Sequence, residues 1–272
     1  MLESSSSKTL RYVIVLLVLV VYLFPLFYLL NTSFKEQFEY MKDPTGLAAS
    51  LRFSNYLEAW NKGDFSKYIW NSILYTSVAT IASIMMSLFA AYPIARNYLK
   101  GSGFYYLLFT IALFIPNPLI PQFKLMLELG LYNTQFGYIL LRTGGTGVAF
   151  LLFVGYIKSV SRDLDEAAAM DGCGYVRYMF TILVPLTKPV LATGVLLTAI
   201  GVWNDIIGPT LYLADNAKQP ITRGLFNFAG QYMNNWPLLA CGIFIVAAPL
   251  IVLYTFVQKY LVSGALAGSI KF

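Results

Sequence analysis

Asp165-Glu166-Ala167-Ala168-Ala169-Met170-Asp171-Gly172, continued by Ile182-Leu183-Val184-Pro185, is a polar interruption between two long apolar runs, 136–157 and 189–213. Glu166 to Met170 are strong helix formers. Asp163 and Asp165 suit the positive N-terminal end of such a helix, and Gly172 suits the left-handed position that stops it. A second short helix is expected from Tyr175 to Thr181, with Pro185 closing the segment before the next apolar run. The reading is two short helices joined by a tight turn and held at a membrane surface. The alanines leave a low-relief face that another protein can approach closely.

The flanking sequence sets that segment in a bilayer. Of the 272 residues, 58% are hydrophobic and only 12% charged, whereas a soluble domain is about a quarter charged. Apolar runs fall at about 12–30, 69–95, 104–127, 136–157, 189–213 and 238–261. A spanning helix needs roughly 20 mostly apolar residues, and the runs are continuous where barrel strands would alternate. The expected fold is therefore all-α, a polytopic membrane protein with six transmembrane helices in a single domain over 1–272. Pro116, Pro118 and Pro121 predict that the third span is kinked or partly unwound. Tyr12–Leu30 is followed by no small-residue cleavage site, so it reads as a retained first helix.

Lys and Arg in the short loops set the orientation. Lys8 and Arg11, Arg96 and Lys100, the group Lys158, Arg162, Arg177 and Lys188, and Lys259 and Lys271 all fall on one side of a six-span chain, which is read as the cytoplasm. The mixed-charge loop 31–68 lies opposite and is expected to fold back against the outer surface. The net charge of +6 is spread among loops with no basic stripe, so it points to lipid and topology, with no nucleic acid as partner. Cys173 and Cys241 read as reduced thiols, one in a polar loop and one in an apolar span. Histidine is absent, which excludes His-based acid–base chemistry and His metal ligation. No phosphate-cradling Gly-x-x-x-x-Gly-Lys-Ser/Thr loop is present, so if ATP drives this protein, another chain binds it. No catalytic residue and no metal site is expected.

The 165–185 segment resembles the EAA loop of ABC importer permeases. That pattern is Glu-Ala-Ala, three residues, Gly, then a hydrophobic residue and Pro, and Glu166, Ala167, Ala168, Gly172, Ile182 and Pro185 match it in order. Asp171-Gly172 is the form common in the carbohydrate-importing branch. Ile115-Pro116 with Leu129–Thr134, Trp203-Asn204-Asp205, and the tail Gly264–Lys271 are similar to further stretches of maltose-type permeases, the tail to that of the second permease subunit. The resemblance implies a coupling loop over 160–185 that docks in a cleft of a cytoplasmic ATPase through Glu166, Ala167, Ala168, Asp171, Gly172 and Pro185. It also implies pairing with a homologous second permease, two ATPase subunits that bind ATP and Mg, and an extracytoplasmic sugar-binding protein. The setting is a bacterial inner membrane with both termini cytoplasmic, and the chain supplies half of a pathway for a sugar or oligosaccharide.

Candidate pathway residues carry two readings each. Arg142 reads as a lone cation in an apolar span, where a charge costs about 2.5–3.5 kcal/mol at the bilayer centre. It either snorkels or binds free carbonyls near the Gly144–Gly147 cluster, or its guanidinium meets an anionic or hydroxyl-rich substrate in the cavity. The family usually has an apolar, Pro-containing stretch there, so a neutral-sugar specificity does not transfer directly. Asn117, Gln122 and Lys124 lie on or beside the broken third span and either seal the kink or line a cavity. Trp203, Asn204 and Asp205 either anchor an interface and bond between helices or bind sugar. Competing functions are a stand-alone secondary transporter or channel, which should carry midplane carboxylates or an inverted repeat, and an ABC permease for a non-sugar solute such as a glycerol phosphodiester. An intramembrane enzyme lacks any supporting motif.

Overall fold

The computed structural model describes residues 5–144 and 147–269, with side chains for 10–144 and 147–260. Gly145, Thr146 and the side chains of the Gly- and Ala-rich tail lie outside the described residues. Regular structure among the described residues is helical throughout.

The chain runs through α1 (Ser5–Phe34), α2 (Gln37–Lys42), α3 (Ser54–Lys62) and α4 (Phe65–Ala95). Then α5 (Ser102–Ala112) and α6 (Leu119–Glu128) flank a non-helical stretch holding Pro116 and Pro118. Next come α7 (Gln135–Thr143), α8 (Gly147–Ser159), α9 (Asp163–Met170) and α10 (Tyr175–Tyr178). A π-helical turn, Met179–Leu183, carries α10 into α11 (Val184–Leu186), and α12 (Lys188–Trp203) follows. The chain ends through α13 (Ile207–Tyr212), a 3-10 turn (Asn216–Lys218), α14 (Ile221–Gln231) and α15 (Trp236–Ser269).

Six spans are expected from the sequence, the third of them kinked or partly unwound, and in the number of long apolar helices the structure differs. Among the described residues three helices are long and apolar enough to cross a membrane: Leu10–Phe34, Phe65–Ala95 and Trp236–Tyr260. Two bent pairs, α7 with α8 and the Tyr175–Leu186 stretch with α12, raise the number to five at most. The run 104–127 is split because a proline has no N–H to give and clashes with the carbonyl four residues back. The run 189–213 breaks after Trp203, where Asn204 caps α12. The protein is nonetheless all-α and polytopic, with several long apolar helices.

The chain divides into two compact units. The first comprises Met1–Ser66 and Gly224–Ala247. Its long connection is ordered by side chains that satisfy backbone groups. Asn31 donates to Gly46 O at 2.8 Å and accepts from Ala48 N at 2.9 Å. Asn55 Nδ2 donates to Ser33 O (2.9 Å) and Lys35 O (2.8 Å), and the buried Lys35 Nζ donates to Asp43 O at 2.7 Å. Cys241 is buried, with Sγ 3.3 Å from Ser33 O.

The second unit comprises Lys67–Arg223 and Ala248–Phe272. Its main core joins Ile84, Leu88 and Tyr92 of α4 to Phe150, Phe153 and Ile157 of α8 and to Met179 and Leu183 of the π turn. A smaller cluster holds Tyr75, Ala79, Tyr138, Val202 and Leu213. Lipid tails are as apolar as these side chains, so close packing and hydrogen bonds, rather than transfer from water, hold the helices together.

Candidate functional site

The chemistry-bearing residues collect at two places in the second unit. The first is the α9–α10 segment. Asp163, Asp165 and Glu166 occupy the first turn of α9. Its far end closes as a Schellman turn: Gly172 N donates to Ala169 O at 3.0 Å and Cys173 N to Ala168 O at 2.9 Å. Gly172 has φ +69° with open space where a Cβ would stand. A side chain there is opposed by backbone strain alone, roughly 1–2 kcal/mol for an L-residue and more if β-branched.

The segment has a buried side and an open side. Ala168, Tyr178, Met179 and Leu183 are packed in the core, whereas Glu166, Ala167 and Ala169 are exposed and Met170 is 88% exposed. Pro185 does not close the segment as the sequence reading expects. The π turn over Met179–Leu183 precedes it and widens the helix where an α-helical ring–carbonyl clash would fall, and the chain stays helical through Leu186. The turn comes at Thr187, whose hydroxyl donates to Leu183 O at 2.8 Å, and the axis there bends by 88° into α12.

Beneath the open face lies a buried ion pair that no local sequence pattern indicates. Arg96 Nε lies 2.6 Å from Asp165 Oδ2, with side chains 3% and 5% exposed. Arg96 Nη1 donates to Val160 O (2.8 Å) and Nη2 to Ser161 O (3.3 Å). Tyr98 OH donates to Asp165 Oδ2 at 3.3 Å, and Tyr178 OH makes a short bond to Asp165 Oδ1.

The second place is a cavity of about 550 Å³ bordered by the broken stretch after α5, the start of α6, and α7 and α13. Asn117, Gln122, Arg142 and Asp205 line it together with Gly208 and Tyr212. The sequence reading of Arg142 as a lone cation is overturned. Its Nη1 lies 3.6 Å from Asp205 Oδ2, and its Nη2 donates to Gly201 O at 3.1 Å. Asp205 also accepts from Tyr138 OH (3.0 Å) and, through Oδ1, from Gly208 N (3.0 Å). The break after Trp203 is what lets Asp205 turn back to accept from Gly208 N in the first turn of α13. Gly208 is required by this approach, since a Cβ there would collide with Asp205 Oδ2. Across the cavity Tyr212 OH pairs with Gln122 Oε1 at 3.1 Å. Asn204 and Lys124 are exposed and do not line it.

Sequence reasoning points to four of the cavity residues and misses Gly208 and Tyr212, as well as Tyr138, which holds Asp205 from the buried side. It took Arg96 only as an orienting charge and Asp165 only as a helix-end charge. The one signal for Arg96 was a cation directly after an apolar run with no acid nearby in sequence.

Comparison with known proteins extends over nearly the whole chain. Residues 1–265 match the family described as binding-protein-dependent transport system inner membrane component. A probable ABC transporter permease, YurM of Bacillus subtilis (strain 168), is 32% identical over 267 residues, covering 97% of this chain and 89% of the relative. The melibiose/raffinose/stachyose import permease MelC of the same organism is 29% identical over 276 residues, covering 99% and 100%. A crystal structure of a bacterial ABC transporter involved in the import of the acidic polysaccharide alginate contains a chain that aligns with TM-score 0.80 and 26% identity, over 96% of this chain and 99% of that one.

Proposed function

Because this chain belongs to the family of binding-protein-dependent transport system inner membrane components, we propose that it forms half of the translocation pathway for a sugar or oligosaccharide and couples that pathway to a cytoplasmic ATPase through residues 160–185. It is a multi-pass inner-membrane permease of the ABC-importer type and not an enzyme. The 272 residues act as one permease domain that crosses the membrane six times with both ends cytoplasmic, the proline-broken α5–α6 stretch completing the third crossing. A homologous second permease completes the pathway. Two ATPase subunits bind ATP and Mg, and an extracytoplasmic binding protein delivers the substrate. Closure of the ATPases moves the permeases between inward- and outward-open states.

The observation that carries the coupling reading is the two-sided α9–α10 segment. Its inner side is sealed by a buried ion pair, while Glu166, Ala167 and Met170 stand open. The low-relief alanines beside Met170 leave this side open to close approach by a protein partner. Asp171, Gly172 and Pro185 shape the turn and the second helix, and with Glu166, Ala167 and Ala168 they form the proposed coupling set.

For the substrate, the cavity favours a hydroxyl-rich, uncharged solute. Arg142 is compensated by Asp205, so no excess positive charge is offered to a carboxylate or phosphodiester. The amides of Asn117 and Gln122 and the Tyr212 hydroxyl supply donors and acceptors together, as sugar hydroxyls require. The names of relatives such as MelC, an importer of melibiose, raffinose and stachyose, support the carbohydrate reading. Asn204, exposed beside Asp205 in the chain, belongs to the proposed pathway although it does not line this cavity.

Gly172→Val tests the coupling reading in the reconstituted transporter. The variant is expected to insert and to pair with its partner permease, yet to lose substrate-stimulated ATP hydrolysis and uptake. Normal transport, or a defect confined to substrate affinity, overturns the reading.

A further inference from the structure

The coupling segment is fastened to α4 as well as packed against α8 and α12. Three independent contacts make that attachment. The first is the guanidinium of Arg96, at the end of α4. It pairs with Asp165 on α9 and donates to the carbonyls of Val160 and Ser161, the backbone of the α8–α9 joint. One side chain of α4 thus grips both the joint and the helix beyond it.

The second contact depends on a proline. Pro93 lies inside α4 and has no N–H, so the carbonyl four residues earlier, that of Phe89, has no α-helical donor. Tyr175, the first residue of α10, donates its hydroxyl to Phe89 O at 3.0 Å. The third is an aromatic cluster. Tyr92 of α4 stands with ring centroids 5.2 Å from Tyr178, 5.8 Å from Tyr175 and 5.7 Å from Tyr98, and Tyr178 OH closes back onto Asp165. Asp165 therefore ties α9, α10 and α4 into one knot. By contrast, the chain between α10 and α12 turns by 88° at Thr187.

A buried ion pair resists sliding, because separating the partners leaves an uncompensated charge in a low-dielectric site. We propose that Asp165, Arg96 and Tyr178 are positioning residues that make α9, α10 and the cytoplasmic end of α4 a single rigid lever. Movement of the docked segment is then delivered to α4 directly, rather than along the chain through α8 and α12. This rests on the coupling reading given above.

The test uses the complete transporter in proteoliposomes. Spin labels at Met86→Cys on α4 and Ala169→Cys on α9, both exposed positions, in a Cys173→Ser background, report the distance from α4 to the docking face. In the otherwise wild-type lever that distance is expected to be the same without nucleotide and in the ATP-trapped state. Asp165→Asn and the gentler Tyr178→Phe leave Glu166, Ala167 and Met170 untouched, so ATPase binding is expected to persist. Uptake per ATP hydrolysed should fall about tenfold in Asp165→Asn, within the range of ordinary inter-site couplings, and less in Tyr178→Phe. Both variants should make the spin-label distance depend on nucleotide.

A distance that already changes with nucleotide in the unsubstituted lever overturns the proposal, and so does unchanged uptake per ATP in both variants. If Asp165→Asn fails to assemble, Tyr178→Phe and the unsubstituted distance still decide. Gly172→Val separates the two ideas. If it transports normally, the coupling reading itself fails. If it is uncoupled while Asp165→Asn and Tyr178→Phe match wild type, only the lever fails.

Discussion

The protein holds two Arg–Asp pairs of the same chemistry in opposite circumstances. Arg96–Asp165 is sealed, with side chains 3% and 5% exposed and a 2.6 Å contact. Arg142–Asp205 borders a cavity, with side chains 29% and 12% exposed and a 3.6 Å separation. Every oxygen of Asp165 is taken by Arg96, Tyr98 or Tyr178. Arg142 and Asp205 both line open volume. A sealed pair has no alternative partner and so serves as a fixed joint. A pair at a cavity wall can exchange its partner for water or a solute at small cost. The difference in burial, more than the residue types, separates a fixed joint from a pair at a cavity wall.

The strongest way to break this comparison is Arg96→Ala. It strands a buried carboxylate, and removing one partner of a buried pair costs roughly 3–5 kcal/mol. A clear drop in the Tm of the detergent-solubilised complex is expected, whereas an unchanged Tm would mean that water reaches Asp165 and that the two pairs are alike. Arg142→Gln should reverse the pattern. A water-accessible pair contributes about 0–1 kcal/mol, so the Tm should barely move and basal ATPase should persist while uptake falls. A loss of stability equal to that of Arg96→Ala would make Arg142 a structural residue.

The smallest effect sharpens the comparison. Tyr138→Phe removes one hydrogen bond to Asp205 and keeps the ring packed against Tyr75, whose centroid is 5.0 Å away. The expected change is about 0.5–1.5 kcal/mol, with a raised half-saturation concentration for uptake and nearly unchanged maximal rate. A fall in maximal rate alone would place Tyr138 in coupling instead of binding.

Legibility followed the range of the interaction. The stop of α9 at Gly172 was readable because its hydrogen bonds close within five residues, from Cys173 back to Ala168. The break near Pro116 and Pro118 was readable because a proline acts on its own turn. Among the pathway candidates, Asn117, Gln122, Arg142 and Asp205 were visible as polar residues in or beside apolar runs, and the structure brings these four to one cavity. That Arg142 is paired was not visible, and neither was the helical continuation past Pro185. The first depends on a partner from a different helix, the second on a π turn that absorbs the ring.

The sequence by itself determined the all-α membrane-spanning character and the local form of the 165–172 turn. These follow from transfer of apolar runs out of water and from bonds made within one or two helical turns. Only the tertiary structure decided which charges are joints and which are walls. Asp165 meets Arg96 across 69 residues, Asp205 meets Tyr138 across 67, and Tyr175 meets the carbonyl freed by Pro93 across 86. No periodicity in a chain encodes such pairings, because the burial that gives each its strength exists only once the helices have packed.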